Sequence, residues 1–232
     1  MELLFATMEL EKITKKSRSY DDSCGAAHAL DLIGERWALL VMRELMLGPR
    51  RFSDLRAQLP GISANVLTQR LAGLEAAGVV RRARLAPPAS VQVYELTPWG
   101  LEAEPILLHM GMWGARSPGF DPSLYFSPAS LMLSLRAKFE PQRAGDADIA
   151  LSMTFDSETY TVAVQGGRLR TARGAPDRVD AALSGEPGAL VELFYVKTPL
   201  ETLEAQGRLA VEGDREALLS FADLWEMPPA AA

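Results

Sequence analysis

The feature that most constrains the fold is a series of three helix patterns followed directly by two β-rich segments. From Ala26 to Leu47, apolar residues recur at spacings of three and four, which predicts an amphipathic helix ended by Gly48–Pro49. A second helix is predicted from about Ser53 to the break at Pro60–Gly61, and a third over Ala64–Ala77. Ser63 is the predicted N-cap of the third helix, and Leu67, Leu71 and Leu74 form its predicted buried stripe.

The β-rich segments predict a hairpin. They are Val79–Leu85 and Val91–Leu96, and the turn between them is Ala86–Ser90. A further helix opens at Thr97–Pro98 and runs to about Gly114. We therefore expect an N-terminal extension over residues 1–20, a winged helix-turn-helix domain over 21–118 and a second domain over 119–232.

The third helix presents polar side chains opposite its apolar stripe. Asn65 and Gln69 can each form two hydrogen bonds with adenine, and Thr68 can contact the thymine methyl group or a phosphate. Ser63 and Arg70 are expected beside phosphates. Helix, turn, helix and an arginine-rich hairpin together place one helix in the major groove and a wing across the backbone. We predict binding to double-stranded DNA; the alternative is a merely solvated polar face. The predicted DNA-binding residues are Arg50, Arg51, Ser63, Asn65, Thr68, Gln69, Arg70, Arg81, Arg82 and Arg84.

The charge of the chain is unevenly distributed. The total is −6, but residues 1–118 hold 14 lysines and arginines against 13 acidic residues, whereas residues 119–232 hold 10 against 17. A phosphate backbone responds mainly to nearby charge, because the Debye length is about 8 Å at physiological salt. The acidic total therefore does not exclude a nucleic-acid partner for the N-terminal half.

The second half predicts an α+β domain with an antiparallel sheet covered by helices. Its predicted helices and strands are a helix over 127–139, strands over 148–155, 159–164, 169–172, 180–184 and 208–214, and helices from 186 and over 216–224.

Several classes of protein are disfavoured by what the sequence lacks. No apolar run is long enough to span a bilayer, and the first residues do not resemble a signal peptide, so a cytoplasmic protein without a membrane partner is expected. One cysteine and two histidines predict neither a metal site nor a disulfide within the chain. We find no nucleophile motif or phosphate loop, and expect neither enzymatic activity nor a cofactor.

Short motifs in the N-terminal half occur in a characteristic order. They are Cys24–Ala26, Ala29–Trp37, Arg43–Leu45, Gly48–Leu55, Pro60–Ser63, Val66–Leu71, Leu74–Arg82, Tyr94–Thr97 and Gly100. This region resembles the HxlR-type winged-helix regulators. The resemblance implies a homodimer built from the first and last helices of the domain, and DNA reading by residues 63–70 and the wing. The wing tip departs from the family pattern because it lacks a basic residue.

Cys24 and three aromatic side chains of this half have alternative interpretations. Cys24 precedes the first long helix, where helix amides can lower the pKa of a thiol. The family resemblance implies a sensor of oxidants or electrophiles there, acting through an adduct or an intersubunit disulfide; the alternative is an inert packed thiol. Trp37, Phe52 and Trp113 are expected in the core or a dimer interface rather than in an aromatic ligand box.

The second half carries motifs over 151–164, 166–167, 176–184 and 207–214 that resemble the sterol-carrier-protein fold. The resemblance implies an apolar pocket for a hydrophobic small molecule; a solid core or extra dimer surface are the alternatives. The predicted pocket residues are Met132, Leu135, Phe139, Met153, Phe155, Phe194, Tyr195, Phe221 and Trp225.

Taken together, the two resemblances imply a homodimeric bacterial transcriptional regulator that binds palindromic operator DNA. A hydrophobic effector in the C-terminal domain is expected to modulate it. Two alternatives are a redox- or electrophile-sensing repressor that acts through Cys24, and a non-regulatory lipid-binding carrier or scaffold protein.

Overall fold

A computed structural model describes residues 19–86 and 89–231, which form two compact units. Unit 1 comprises residues 19–42 and 51–100, and unit 2 comprises residues 43–50 and 101–231. The compact units divide at residue 100, and the short segment 43–50 belongs to unit 2. The domain boundary expected after residue 118 stays a prediction. Most of the N-terminal extension and the two prolines of the wing tip lie outside the described residues.

Unit 1 has the predicted order of helices followed by a hairpin. Its elements are α1 (Gly25–Ile33), α2 (Ala38–Leu45, which ends in unit 2), α3 (Phe52–Ala57), α4 (Ala64–Ala76), β1 (Val80–Arg84), β2 (Gln92–Leu96) and α5 (Pro98–Leu101, whose last residue belongs to unit 2). β1 and β2 pair antiparallel, with Val80 opposite Leu96. The winged helix-turn-helix predicted from the sequence is confirmed.

The first predicted helix is in fact two helices. Gly34 follows the last residue of α1, and a side chain there would collide with the carbonyl oxygen of Leu30. Trp37 has a φ of 78°, a left-handed conformation that a continuous helix does not contain. The apolar periodicity continues across this break, which is why the pattern alone predicted a single helix.

The core of unit 1 is built on the predicted stripe of α4. Leu67, Leu71 and Leu74 are all buried, as are Leu55 of α3 and Val93 of β2. Burying a leucine side chain stabilises the fold by about 1.5–3 kcal/mol. The opposite face of α4 is thereby held towards solvent.

Unit 2 is a sheet with helices packed on it. Its elements are α6 (Glu104–Gly114), α7 (Pro128–Lys138), α8 (Pro141–Ala144), β3 (Ile149–Phe155), β4 (Glu158–Gln165), β5 (Arg168–Arg173), β6 (Ala181–Gly185), α9 (Pro187–Val191), a π-helical turn (Glu192–Val196), α10 (Leu200–Ala205), β7 (Leu209–Gly213) and α11 (Arg215–Ala222). The α+β class is confirmed.

The sheet of unit 2 is mixed rather than wholly antiparallel. Its strand order is β5-β4-β3-β6-β7, and β6 pairs parallel with β3, with Leu151 opposite Ala181. After the hairpins β3–β4 and β4–β5, the chain crosses to the other side of β3 before it forms β6. Alternating residues predict strands but not this crossing, so the expectation of an antiparallel sheet is wrong for one pair of strands.

The nine residues predicted to line a ligand pocket belong to a packed core. All except the half-buried Phe139 are buried, and they contact one another in a single cluster. The Phe221 ring lies 5.5 Å from that of Phe194 and 5.3 Å from that of Trp225, measured between centroids. Phe194, Phe221 and Trp225 expose none of their surface, which leaves no water-sized void beside them. For these side chains the structure favours the solid-core alternative.

No helix in the described part of the chain is long and apolar enough to cross a membrane. Within residues 19–86 and 89–231 no cluster of histidine, cysteine or acidic side chains is arranged to hold a metal ion.

Candidate nucleic-acid interface

The helix-turn-helix of unit 1 is formed by α3 and α4. Ser63 is the N-cap of α4, and its Oγ accepts a hydrogen bond from the backbone N–H of Val66 at 3.2 Å. This cap satisfies one of the free amides at the start of the helix and fixes where α4 begins. The position of the first turn determines which side chains face away from the core.

The exposed face of α4 carries the predicted base-reading residues. Asn65, Thr68 and Gln69 are all exposed. The Thr68 hydroxyl donates to the carbonyl oxygen of Ala64 at 2.9 Å, so the methyl group and the oxygen lone pairs remain available. Within the described residues, the amides of Asn65 and Gln69 form no hydrogen bond. This face therefore has donors, acceptors and an apolar methyl group available to a ligand.

Arg70 lies on the buried side of α4, which corrects the prediction that it contacts phosphate. It is three residues from Leu67 and four from Leu74, so helix geometry places it beside the buried stripe. Its side chain is 17% exposed, and its Nη1 lies 3.0 Å from Oε2 of Glu35. A guanidinium held in this way is not presented to a phosphate.

The wing presents three exposed arginines on β1. Arg82 and Arg84 share one face of the strand and Arg81 lies on the other, as the alternation of a strand requires. Arg81 Nε is 2.7 Å from Oε1 of Glu95, and Arg82 Nε is 3.2 Å from Oε2 of Glu75. Exposed pairs of this kind contribute about 0–1 kcal/mol, so a phosphate can replace the carboxylate at little cost.

The structure contradicts the prediction that Arg50 binds DNA. Its side chain is 1% exposed and belongs to unit 2, where Nη1 and Nη2 donate to the two carboxylate oxygens of Glu158 at 2.9 and 3.0 Å. Nη2 also donates to the Tyr160 hydroxyl at 2.7 Å, and Nε donates to the carbonyl oxygen of Glu44 at 3.0 Å. Arg50 therefore holds the unit 2 fold together and is not available to DNA.

Arg51, the next residue, has the opposite environment. It is exposed at the N-cap of α3, and its backbone N–H donates to the Asp54 carboxylate at 3.4 Å. Its guanidinium forms no ion pair within residues 19–86 and 89–231. Arg51 thus remains a candidate phosphate ligand.

Cys24 is the N-cap residue of α1 and is exposed. The backbone amides of Ala27 and Ala26 lower the pKa of its thiol below the usual range. A lowered pKa increases the share of thiolate, which is the nucleophilic form. The packed, inert thiol that the sequence left open is thereby disfavoured.

One helix of unit 2 carries an apolar face that is open to solvent. No residue of α6 is buried, and Ile106, Met110 and Trp113 follow one another at helical spacing. They are 45%, 49% and 80% exposed. We call these three residues the α6 face. The sequence predicted only that Trp113 lies in the core or in a dimer interface.

Unit 2 also has an open cleft, which sequence reasoning missed. The cleft has a volume of about 460 Å³ and is lined mainly by Phe139 and by residues of β5, among them Leu169 and Arg170. Phe139 is the one residue of the predicted pocket that lines it. The strand alternation of β5 placed Leu169 on a sheet face. The sequence alone does not show that the end of α7, where Phe139 lies, packs next to this face.

Two family models match the chain in succession. Residues 32–119 match HxlR-like helix-turn-helix, and residues 126–231 match alkyl sulfatase C-terminal. The second match differs from the expected sterol-carrier resemblance, which stays a prediction. The solved structure of the sec-alkylsulfatase Pisa1 from Pseudomonas sp. is 20% identical, with a TM-score of 0.40, and the match covers 44% of this chain but only 16% of that one.

Curated relatives match the N-terminal half. The HTH-type transcriptional regulator sll1512 of Synechocystis is 40% identical over 93 residues, which are 40% of this chain and 68% of the relative. The HTH-type transcriptional regulator YvaP of Bacillus subtilis is 38% identical over 96 residues, which are 41% of this chain and 86% of the relative. With nearly the whole of YvaP covered at this identity and the HxlR-like model matched over residues 32–119, the chain belongs to the HxlR-like helix-turn-helix family.

Proposed function

We propose that the chain is a transcriptional regulator that binds palindromic double-stranded DNA as a homodimer. The observation that carries this proposal is the exposed face of α4, where Asn65, Thr68 and Gln69 project away from the buried stripe. The named relatives are helix-turn-helix transcriptional regulators, which supports the same assignment.

In this proposal α4 enters the major groove. Asn65 and Gln69 read adenine by paired hydrogen bonds, and the Thr68 methyl group packs on thymine; each good paired contact is worth about 1–3 kcal/mol of discrimination. Arg81 and Arg82 of the wing exchange their glutamate partners for phosphates, and Arg84, whose Nε donates to the carbonyl oxygen of Ser90 at 3.1 Å, adds a third phosphate contact. Phosphate contacts position the protein, whereas the α4 face supplies the specificity.

The α6 face is assigned to a second copy of the chain. A single small module seldom binds tightly enough to select one operator, and two recognition helices about 34 Å apart read a palindrome. Ile106, Met110 and Trp113 form the apolar stripe that such an interface buries. Met110→Glu is expected to lower the molar mass measured by light scattering, whereas Leu219→Glu, at an exposed site on α11, is the control that leaves it unchanged. A monomeric wild-type protein at micromolar concentration would contradict the assignment.

The effector is assigned to unit 2. Since the predicted pocket residues fill the core, we assign the hydrophobic molecule to the cleft beside Phe139 and Leu169. Regulation requires the effector to bind the DNA-competent and DNA-incompetent forms with unequal affinity. A ligand that binds unit 2 tightly and leaves operator affinity unchanged would refute this part of the proposal.

A second candidate function is electrophile sensing through Cys24. Its support is the exposed thiol at the start of α1 with its lowered pKa. Benzoquinone is expected to alkylate Cys24 and to change operator affinity, and Cys24→Ser is expected to abolish both effects. Alkylation at Cys24 without any change in DNA affinity would leave the thiol reactive but exclude it as the sensor.

The central experiment measures fluorescence anisotropy of the full-length protein against DNA from upstream of its own gene. A scrambled duplex of the same composition serves as reference, at two salt concentrations. We expect a preference of about 10³-fold or more, with affinity falling as salt rises. Gln69→Ala should reduce the preference, whereas Gln142→Ala, an exposed amide of unit 2, should not. Equal affinity for both duplexes at either salt concentration would count against specific operator binding.

A further inference from the structure

The end of α7 holds a lysine that lacks an acidic partner. Lys138 Nζ donates to Ser134 Oγ at 2.7 Å and lies 4.7 Å from the ring centroid of Tyr195. Ser134 Oγ and the Tyr195 hydroxyl are 2.9 Å apart, so the three side chains form one cluster. The surroundings of the amine are therefore a hydroxyl group and an aromatic ring, with no described carboxylate to balance its charge.

Burial governs the chemistry of this amine. Loss of hydration lowers the pKa of Lys138 to about 8, and no charged neighbour contributes to the shift. At pH 7.5 a pKa of about 8 leaves roughly a quarter of the amine neutral, against roughly 0.1% for an ordinary lysine. The neutral amine is the nucleophilic form, since its lone pair is free.

The neighbouring tyrosine stays a neutral hydroxyl at the same pH. Burial raises the pKa of Tyr195, and the hydrogen bond with Ser134 opposes that shift only in part. Tyr195 belongs to the π-helical turn Glu192–Val196, a rare conformation that is frequent at functional sites. Lys138 itself is partly exposed at the end of α7.

We propose that Lys138 is a modification site at which small aldehydes form an imine. The Nζ lone pair forms a bond with the carbonyl carbon, and the carbonyl oxygen becomes the hydroxyl of a carbinolamine. The C–O bond then breaks, and the oxygen leaves as water with the two hydrogens that the amine loses. No electrons are exchanged with another reagent, and the aldehyde is the only co-reactant. Lys138 belongs to unit 2, and its modification does not depend on the proposed regulatory function.

The test uses the full-length protein, propanal and sodium cyanoborohydride, which reduces the imine to a stable secondary amine. Peptide mass mapping then gives the rate of propylation at each lysine. Lys197 is an internal control: its Nζ donates to the carbonyl oxygen of Ala222 at 2.6 Å and lies 3.9 Å from an Asp223 carboxylate oxygen. At 42% its side chain is well exposed, so steric access alone favours Lys197 over the partly buried Lys138.

At pH 7.5 we expect Lys138 to be propylated at least about tenfold faster than Lys197. The ratio of the Lys138 rate to the Lys197 rate, from which the pH dependence of the reduction step cancels, should be largest below pH 8 and should fall above it. Lys138→Arg should remove the fast phase and leave labelling of Lys197 unchanged, with an unaltered circular dichroism spectrum. Labelling of Lys138 at a rate equal to or below that of Lys197 would overturn the proposal, whether the cause is an inaccessible amine or one that remains protonated.

Discussion

Two arginine-bearing segments of this molecule have the same chemistry and opposite environments. The segment 43–50 of unit 2 contains Arg50, which is 1% exposed and bonded to both carboxylate oxygens of Glu158. The wing of unit 1 contains Arg81 and Arg82, which are 62% and 54% exposed and each paired with one glutamate. All three arginines have acidic partners, so an ion pair by itself does not tell a structural arginine from one that binds a ligand.

The difference lies in solvation. In an exposed pair, water already stabilises both charges, so exchanging the glutamate for a phosphate costs little. In a buried pair, removal of one partner leaves a charge with little solvent around it, at a cost of about 3–5 kcal/mol. We therefore expect Arg50 to contribute to the free energy of unfolding and the wing arginines to contribute to DNA affinity.

The largest expected effect follows from removing Arg50. Arg50→Met should lower the free energy of unfolding by about 3 kcal/mol, the lower end of the range for buried pairs because Glu158 is 30% exposed and can regain water. Arg51→Met, one residue later, should change it by no more than about 0.5 kcal/mol, as for a typical surface substitution. Urea unfolding followed by circular dichroism measures both values. Equal destabilisation by the two variants would remove the contrast between the segments.

The next effect concerns the exposed amide of α4. Gln69→Ala should weaken operator binding by about 1–3 kcal/mol through loss of a paired contact to a base, with little change in stability. Affinity for scrambled DNA should stay nearly the same, since this side chain reads sequence. Anisotropy titrations on both duplexes measure the difference. If Gln69→Ala weakened both duplexes equally, Gln69 would be a backbone contact and not a reader of bases.

How much of the fold and of the candidate site is predictable depends on how far apart the interacting residues lie in the sequence. The exposed face of α4 follows from the spacing of Leu67, Leu71 and Leu74 within one helix, and the structure has that face exposed. The same spacing places Arg70 beside that stripe, which contradicts the prediction that Arg70 contacts phosphate. Arg50 is different: its partner Glu158 lies 108 residues away in the sequence, and no local pattern connects the two.

In unit 2, the strands that are neighbours along the chain were predictable, whereas the pairing of distant strands was not. Strand alternation and turn residues predicted β3, β4 and β5, which pair locally through short turns. The parallel pairing of β6 with β3 requires the chain to pass over its own sheet, and only tertiary packing determines that crossing. Whether apolar residues fill a core or line a pocket depends on their mutual fit, about which periodicity carries no information.

A smaller effect is expected from the wing. Arg82→Ala should weaken binding to operator and scrambled DNA alike, because a phosphate contact carries no sequence information. The slope of log affinity against log salt should decrease in magnitude by about 1, the share of one phosphate. Arg168→Ala, at the start of β5 in unit 2, is the matched control and should leave the slope unchanged. An unchanged slope for Arg82→Ala would mean that its guanidinium stays with Glu75 in the complex.

The smallest expected effect is the pH dependence that Glu158 contributes to stability. Burial alone would raise its pKa, but the hydrogen bonds from Tyr160 and Arg50 outweigh burial, and the pKa of Glu158 is lowered. A carboxyl group whose pKa is lower in the folded state stabilises the fold above its unfolded pKa, and that contribution is lost as pH falls through the folded value. Between pH 7 and pH 3 the urea midpoint of the wild type should therefore fall further than that of Glu158→Gln. Glu212→Gln, at an exposed position on β7, should follow the wild type. If Glu158→Gln instead lost as much stability as the wild type on acidification, the acid sensitivity would arise in other carboxylates, and Arg50 would hold unit 2 together without help from the charge of Glu158.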